Sequence, residues 1–124
     1  MIDHTFIRGD VFFARLKNIG GSVEHGLRPL LIVQNNKGNE NAPTVIGIPL
    51  TTRIKKLYLP VHVYLSGSDK LKPSMALCEQ LMTINKFDIG EFIDRVAPED
   101  MHRIDKALSV SLGLTPTDAE QHLS

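Results

Sequence analysis

The chain has a single cysteine, no tryptophan, few aromatics at 6%, and no net charge. Each shortage removes a class of protein. A lone Cys78 closes no internal disulfide, so an ordinary apolar core must hold the fold. No apolar run reaches about 18 residues and no charged-then-apolar leader is present, so neither a membrane span nor export is expected, and the chain is assigned to the cytoplasm. There is no glycine-rich phosphate loop with its lysine and no nucleophile-elbow serine. The five histidines include no pair at the helical i, i+4 spacing of a zinc site, and with no partner for Cys78 neither a metal nor a cofactor is expected.

What remains is enough for one domain. At 124 residues and 42% hydrophobic, the chain can bury a core of ordinary size. The neutral total hides an uneven distribution: residues 1–72 carry ten Lys/Arg against five Asp/Glu, and residues 73–124 carry four against nine, so the parts stand at +5 and −5 with His neutral. A basic first half of this kind suits phosphates if its cations share a face; scattered, it is a solvated surface.

The apolar pattern predicts short strands. Asp10 to Arg15 is rich in β-formers, and Leu30 to Val33 and Thr44 to Leu50 are short branched runs bounded by Gly, Pro and Asn. Asn35 to Asn41 provides residues that reverse a chain, giving a hairpin between them. Further strands are expected at Val61 to Leu65, at about Ser74 to Ile84 and near Glu91 to Val96, with a turn at Ser66 to Asp69. Pro98, Glu99 and Asp100 suit a helix start, Met101, Ile104, Leu108 and Leu112 recur at helical spacing, and Gly113 suits its stop. The fold class is therefore mainly β with a C-terminal helix, a small α+β barrel, with a domain over residues 1–114 and a polar tail over 115–124.

Two side-chain sets carry chemistry. Arg28 precedes Pro29, which favours extended backbone and projects the guanidinium from a strand start, where five fixed donors suit a phosphate. Read alone it is more commonly a surface arginine or a structural ion pair. Thr51 and Thr52 end the next apolar strand, where hydroxyls also serve turns. Two histidines such as His25 and His62 would suit acid–base work on a ribose hydroxyl, but their scatter forms no motif.

Taken in order, Arg8-Gly9-Asp10-Val11, Gly21-Ser22, Gly26-Leu27-Arg28-Pro29, Gln34-Asn35, Pro43-Thr44, Leu50-Thr51-Thr52, Leu65-Ser66-Gly67, Glu79-Gln80, Thr83-Ile84 and Val96-Ala97-Pro98-Glu99 resemble the MazF/PemK family of toxin endoribonucleases. The resemblance spans roughly residues 8–114 and implies an SH3-like (CcdB/PemK-like) barrel working as a homodimer. It further implies metal-independent cleavage of single-stranded RNA, mRNA in particular, by attack of the ribose 2′-hydroxyl, leaving 2′,3′-cyclic phosphate and 5′-hydroxyl ends. On the matching positions Arg28 and Thr51 would be catalytic, and Glu24, Thr52, Arg53, Lys55, Lys56 and Gln80 would bind RNA, with Glu79 also near the groove. A MazE-like antitoxin with an acidic, disordered segment would hold the toxin inactive. Two positions depart from the family pattern. Val23-Glu24 stands where Glu-Gln is usual after Gly21-Ser22, and Met82 stands where many relatives have Arg. The alternatives are a CcdB-like poison of DNA gyrase on the same barrel, disfavoured by the Gln121-His122-Leu123-Ser124 ending, and a binding module without catalysis.

Overall fold

The computed structural model describes residues 5–114, so the expected tail over 115–124, and its boundary with the domain, lie outside the described residues. Seven strands, β1 (Asp10–Leu16), β2 (Gly26–Ile32), β3 (Thr44–Thr51), β4 (His62–Leu65), β5 (Ser74–Leu77), β6 (Met82–Asn85) and β7 (Ile89–Arg95), combine with a short helix α1 (Asn36–Asn41) and a longer one, α2 (Pro98–Leu112). The expected mainly β fold with a closing helix is present. The sheet runs in the order β4-β5-β3-β2-β1-β7, with β6 on β3 beside that path, and every pairing is antiparallel.

Its two faces are both apolar, which explains the near-continuous hydrophobic runs in β2 and β3. On one side Val11, Leu31, Ile48, Leu50, Val63, Leu65 and Ile93 form a cluster with Met101, Ile104 and Ala107 of α2. Because β4 and β7, the two ends of the path, contribute to this one cluster, the sheet curls until its edges face each other. No ladder joins those edges. Ser68 Oγ, in the turn after β4, donates to the Asp94 carboxylate of β7, and Arg103 of α2 donates to the Tyr64 carbonyl of β4 at 2.7 Å. The barrel is therefore an open one, with α2 over its seam. The opposite face carries Phe6, Phe12, Leu16, Leu30, Ile32, Val45 and Ile84.

Four expectations need correction. The run from Ser74 to Ile84 is two strands, because Cys78 to Leu81 turn, Gln80 N–H donating to the Leu77 carbonyl at 2.9 Å. The reversal at Asn35 to Asn41 is a helical turn capped by Asn35, whose side chain accepts from Gly38 N–H; the hairpin partners are as expected. β2 begins at Gly26, earlier than Leu30, since pairing with β1 extends to Leu16–Gly26. In α2, Leu112 is 53% exposed while Ala107 is buried, because the last turn runs past the apolar cluster. Gly113 ends the helix in the left-handed conformation, as expected.

Gly47 fixes how closely β2 and β3 approach. A Cβ there would lie 2.8 Å from both Leu30 Cγ and the Leu31 carbonyl oxygen, so only glycine permits this spacing. Away from the seam, Arg8 ties α2 to the sheet, bonding the Val33 carbonyl at 2.7 Å and Asp105 at 2.6 Å. The buried Asp10 is paired with Arg95 at 2.7 Å, a charge partner that makes its burial tolerable.

Candidate active site

The antiparallel register of β2 and β3 sets Ile32 against Gly47, Leu31 against Ile48 and Leu30 against Pro49. Pro29 and Pro49 lack the N–H a ladder needs, and pairing runs out here. Continued two residues beyond its last pair, the same register leads to Arg28 on one strand and Thr51 on the other. Both stand at one end of the sheet.

Arg28 is exposed and held from outside its strand. Its Nε donates to the His25 carbonyl at 2.9 Å and lies 3.9 Å from Glu24 Oε1. Its terminal nitrogens have no protein partner among the described residues, leaving a fork of donors facing solvent. Glu24 is itself fixed by Gln80: the Gln80 side-chain oxygen accepts from Glu24 N–H at 2.9 Å, and its amide nitrogen donates to the Ser22 carbonyl at 3.2 Å. Three of the expected site residues, Arg28, Glu24 and Gln80, are thus linked in space although Gln80 lies far along the chain. Gly26, at φ +84°, turns the loop into β2 with backbone that other residues adopt only under strain.

Thr51 is half-buried, and β3 continues into its pairing with Met75 of β5. Its Oγ1 accepts from Arg53 N–H at 3.1 Å, the turn role that hydroxyls often take at strand ends. That bond uses a lone pair and leaves the hydroxyl proton to donate outward. Thr52, Arg53, Lys55 and Lys56 follow it and are exposed. No hydrogen bond or ion pair among the described residues joins their side chains to Arg28.

A groove of about 210 Å³ continues from Glu24 along β1 and β6, bordered by Arg15, Lys17, Val23, Met82 and Asn85. Val23 and Met82, the two departures from the family pattern, therefore line one surface. Sequence reasoning missed Arg15, Lys17 and Asn85, which come from β1, the residue after it and β6, and carry no local motif. His25 and His62 do not form the acid–base pair considered above. His25 is exposed, its Nδ1 3.4 Å from the Val23 carbonyl, whereas the His62 ring is enclosed between Lys56 and Glu79. The Cys78 thiol is pushed up to about 12 by burial and then by the neighbouring Glu79 charge, so it stays neutral and unreactive. At the seam, the Ser68 hydroxyl and then the Arg95 N–H hold the Asp94 carboxyl below its usual range. Among the described residues no three His, Cys, Asp or Glu side chains gather where a metal would bind, and no helix is long and apolar enough to cross a membrane.

The molecule is a small β protein, an open, curled sheet with a guanidinium and a hydroxyl where the β2–β3 register runs out. The chain belongs to the PemK-like, MazF-like toxin family of type II toxin–antitoxin systems, whose profile matches residues 7–112. It is 40% identical over 109 residues to Endoribonuclease MazF of Staphylococcus saprophyticus, covering 86% of this chain and 91% of that one. Among solved structures it is similar to an endoribonuclease in complex with its cognate antitoxin from a mycobacterial species, at 30% identity and TM-score 0.76, covering 90% and 98% of the two chains. MazF of Deinococcus radiodurans shares the fold at TM-score 0.78 and 18% identity, over 90% and 99% of the two chains.

Proposed function

We propose that this protein is an endoribonuclease toxin that cuts single-stranded RNA without a metal ion. The observation that carries the reading is the shared register end of β2 and β3, which leads to Arg28 and Thr51 on neighbouring strands, in a chain of this family. In the reaction the ribose 2′-oxygen attacks the adjacent phosphorus as its hydroxyl proton passes to solvent, the bond from phosphorus to the 5′-oxygen breaks, and the departing oxygen takes a proton from solvent. The products are a 2′,3′-cyclic phosphate and a 5′-hydroxyl. Because the nucleophile belongs to the RNA, the protein's task is to hold the phosphate in line and offset charge developing on its oxygens. The free Nη donors of Arg28 suit that charge, and the Thr51 hydroxyl suits a phosphoryl oxygen or the attacking hydroxyl. Arg28 serves as a fixed cation rather than as the proton source, since a guanidinium keeps its proton to a pKa above about 12.

Glu24, Gln80, Thr52, Arg53, Lys55 and Lys56 border these two residues in sequence or contact and form the RNA-binding surface. Their reach along the chain suits a splayed single strand. The protein acts in the cytoplasm as a homodimer, and Phe13 and Leu27, exposed on β1 and β2, supply apolar surface for a second copy. A MazE-like antitoxin, acidic and folding as it binds, is the matching inhibitor. The gyrase-poison reading is not favoured, since the relatives above carry endoribonuclease names.

The test is to sequence the 5′-hydroxyl ends released from a long RNA by pure protein with a chelator present. Discrete ends at a short recurring motif are expected. Absence of ends, or ends that form only when a divalent ion is restored, overturns the reading.

A further inference from the structure

The His62 ring is an enclosed polar group beside the site that the chemistry above leaves unused. Its side chain is 8% exposed. Nδ1 lies 3.0 Å from the Lys56 carbonyl oxygen, and Nε2 lies 2.9 Å from Glu79 Oε2. A carbonyl has no proton to give, so Nδ1 is a donor. The second neighbour is a carboxyl, so one further proton must lie between Nε2 and Glu79, on the ring or on the acid. Without it, two lone pairs face each other across that contact, and the arrangement loses a bond at one of its ends.

What the ring joins gives the contact its meaning. Lys56 has φ +56° and is the one non-glycine residue with positive φ among the described residues. Its carbonyl, turned inward, also accepts from Leu59 N–H at 3.1 Å. The segment between Thr51 and β4, with Arg53, Lys55 and Lys56 exposed on it, is thus anchored at its middle by His62. On the other side, Glu79 adjoins Gln80, which bonds Ser22 and Glu24 beside Arg28. The dipeptide Glu79-Gln80 therefore reaches both walls of the site from one turn.

We propose that His62 and Glu79 are positioning residues that hold the 52–61 loop, and with it Arg53, Lys55 and Lys56, in the arrangement that engages the RNA backbone, through a proton shared between ring and carboxyl. The proposal rests on the endoribonuclease reading.

The experiment measures KM and kcat for one RNA at a single pH, together with the rate of tryptic cleavage after Arg53, Lys55 and Lys56. Glu79→Ala is expected to raise KM about fivefold, the scale of one hydrogen bond, with kcat little changed and faster tryptic cleavage of the loop. Glu79→Gln is the deciding variant. Its amide donates to Nε2 of a neutral ring while Nδ1–H stays on the Lys56 carbonyl, so it should keep a low KM and the native tryptic rate. Native KM and native tryptic rate in Glu79→Ala, or a Glu79→Gln variant that behaves like Glu79→Ala, overturns the proposal. His62→Ala is expected to match Glu79→Ala; if it fails to fold, the two Glu79 variants decide. Should the native protein cut no RNA, the endoribonuclease reading fails, while the tryptic comparison still reports on the loop.

Discussion

The two walls of the site are built by different means. Thr51 ends a strand that is paired on both edges and packed on both faces, with Val45, Ile48 and Leu50 fully or almost fully buried. Arg28 stands where the β2–β3 ladder has already stopped, after a loop with left-handed glycines at positions 20, 21 and 26. Its place is set by neighbours outside its strand, namely the His25 carbonyl, Glu24 and, through Glu24, Gln80. One wall inherits its position from the core; the other depends on a few polar contacts. Damage to the buried strand behind Thr51 shows in stability, and damage to the polar contacts around Arg28 shows in activity alone.

The strongest test of that contrast removes the two groups themselves. Arg28→Ala and Thr51→Ala should each lower RNA cleavage about 100- to 1000-fold, while circular dichroism reports an unchanged fold. Native rates in both would dissolve the site and the comparison with it. Next in size is Gln80→Ala, which frees Glu24 N–H and the Ser22 carbonyl. Loss of about 1 kcal/mol of hydrogen bonding should cost about fivefold in kcat/KM with the melting temperature nearly unmoved; a large drop in melting temperature would mean that the loop is part of the core after all. Gly26→Ala forces a side chain onto left-handed backbone at about 1 to 2 kcal/mol. Since a Cβ there meets no atom within 4 Å, the expected result is a few-fold slower enzyme, not a misfolded one. The smallest effect belongs to Glu24→Gln. Its pair with Arg28 is long, at 3.9 Å, and partly exposed, so it should change cleavage by less than about fivefold and not at all in high salt.

How far the sequence carried this picture differs between the same two walls. Strands with β-branched, near-continuous apolar runs were legible at β1 and β3, and the closing helix was legible from Pro98 to its glycine stop, because those signals are local. Arg28 and Thr51 stood out as strand-end residues, and their family match named them. Gln80 as the brace of the Ser22 to Glu24 loop was not legible, since its partners lie more than fifty residues away and no spacing rule spans that gap. The break between β5 and β6 was hidden for a related reason: Leu77, Cys78 and Leu81 read as apolar strand, and the turn is imposed by β3, which pairs β5 at Leu50 and Thr51 and β6 from Thr44 to Gly47. The need for Gly47 was not legible either, because it comes from the approach of Leu30 and Leu31 on the neighbouring strand.

The seam between β4 and β7 has a consequence for acid tolerance. A cylinder sewn by side chains instead of main-chain bonds gives way where the stitching titrates. Asp94, held below its usual range by the Ser68 hydroxyl, adds to folding above the carboxylate range of an unfolded chain and loses that share as pH falls through its own lowered value. Acidification therefore weakens this one tie between the turn after β4 and strand β7.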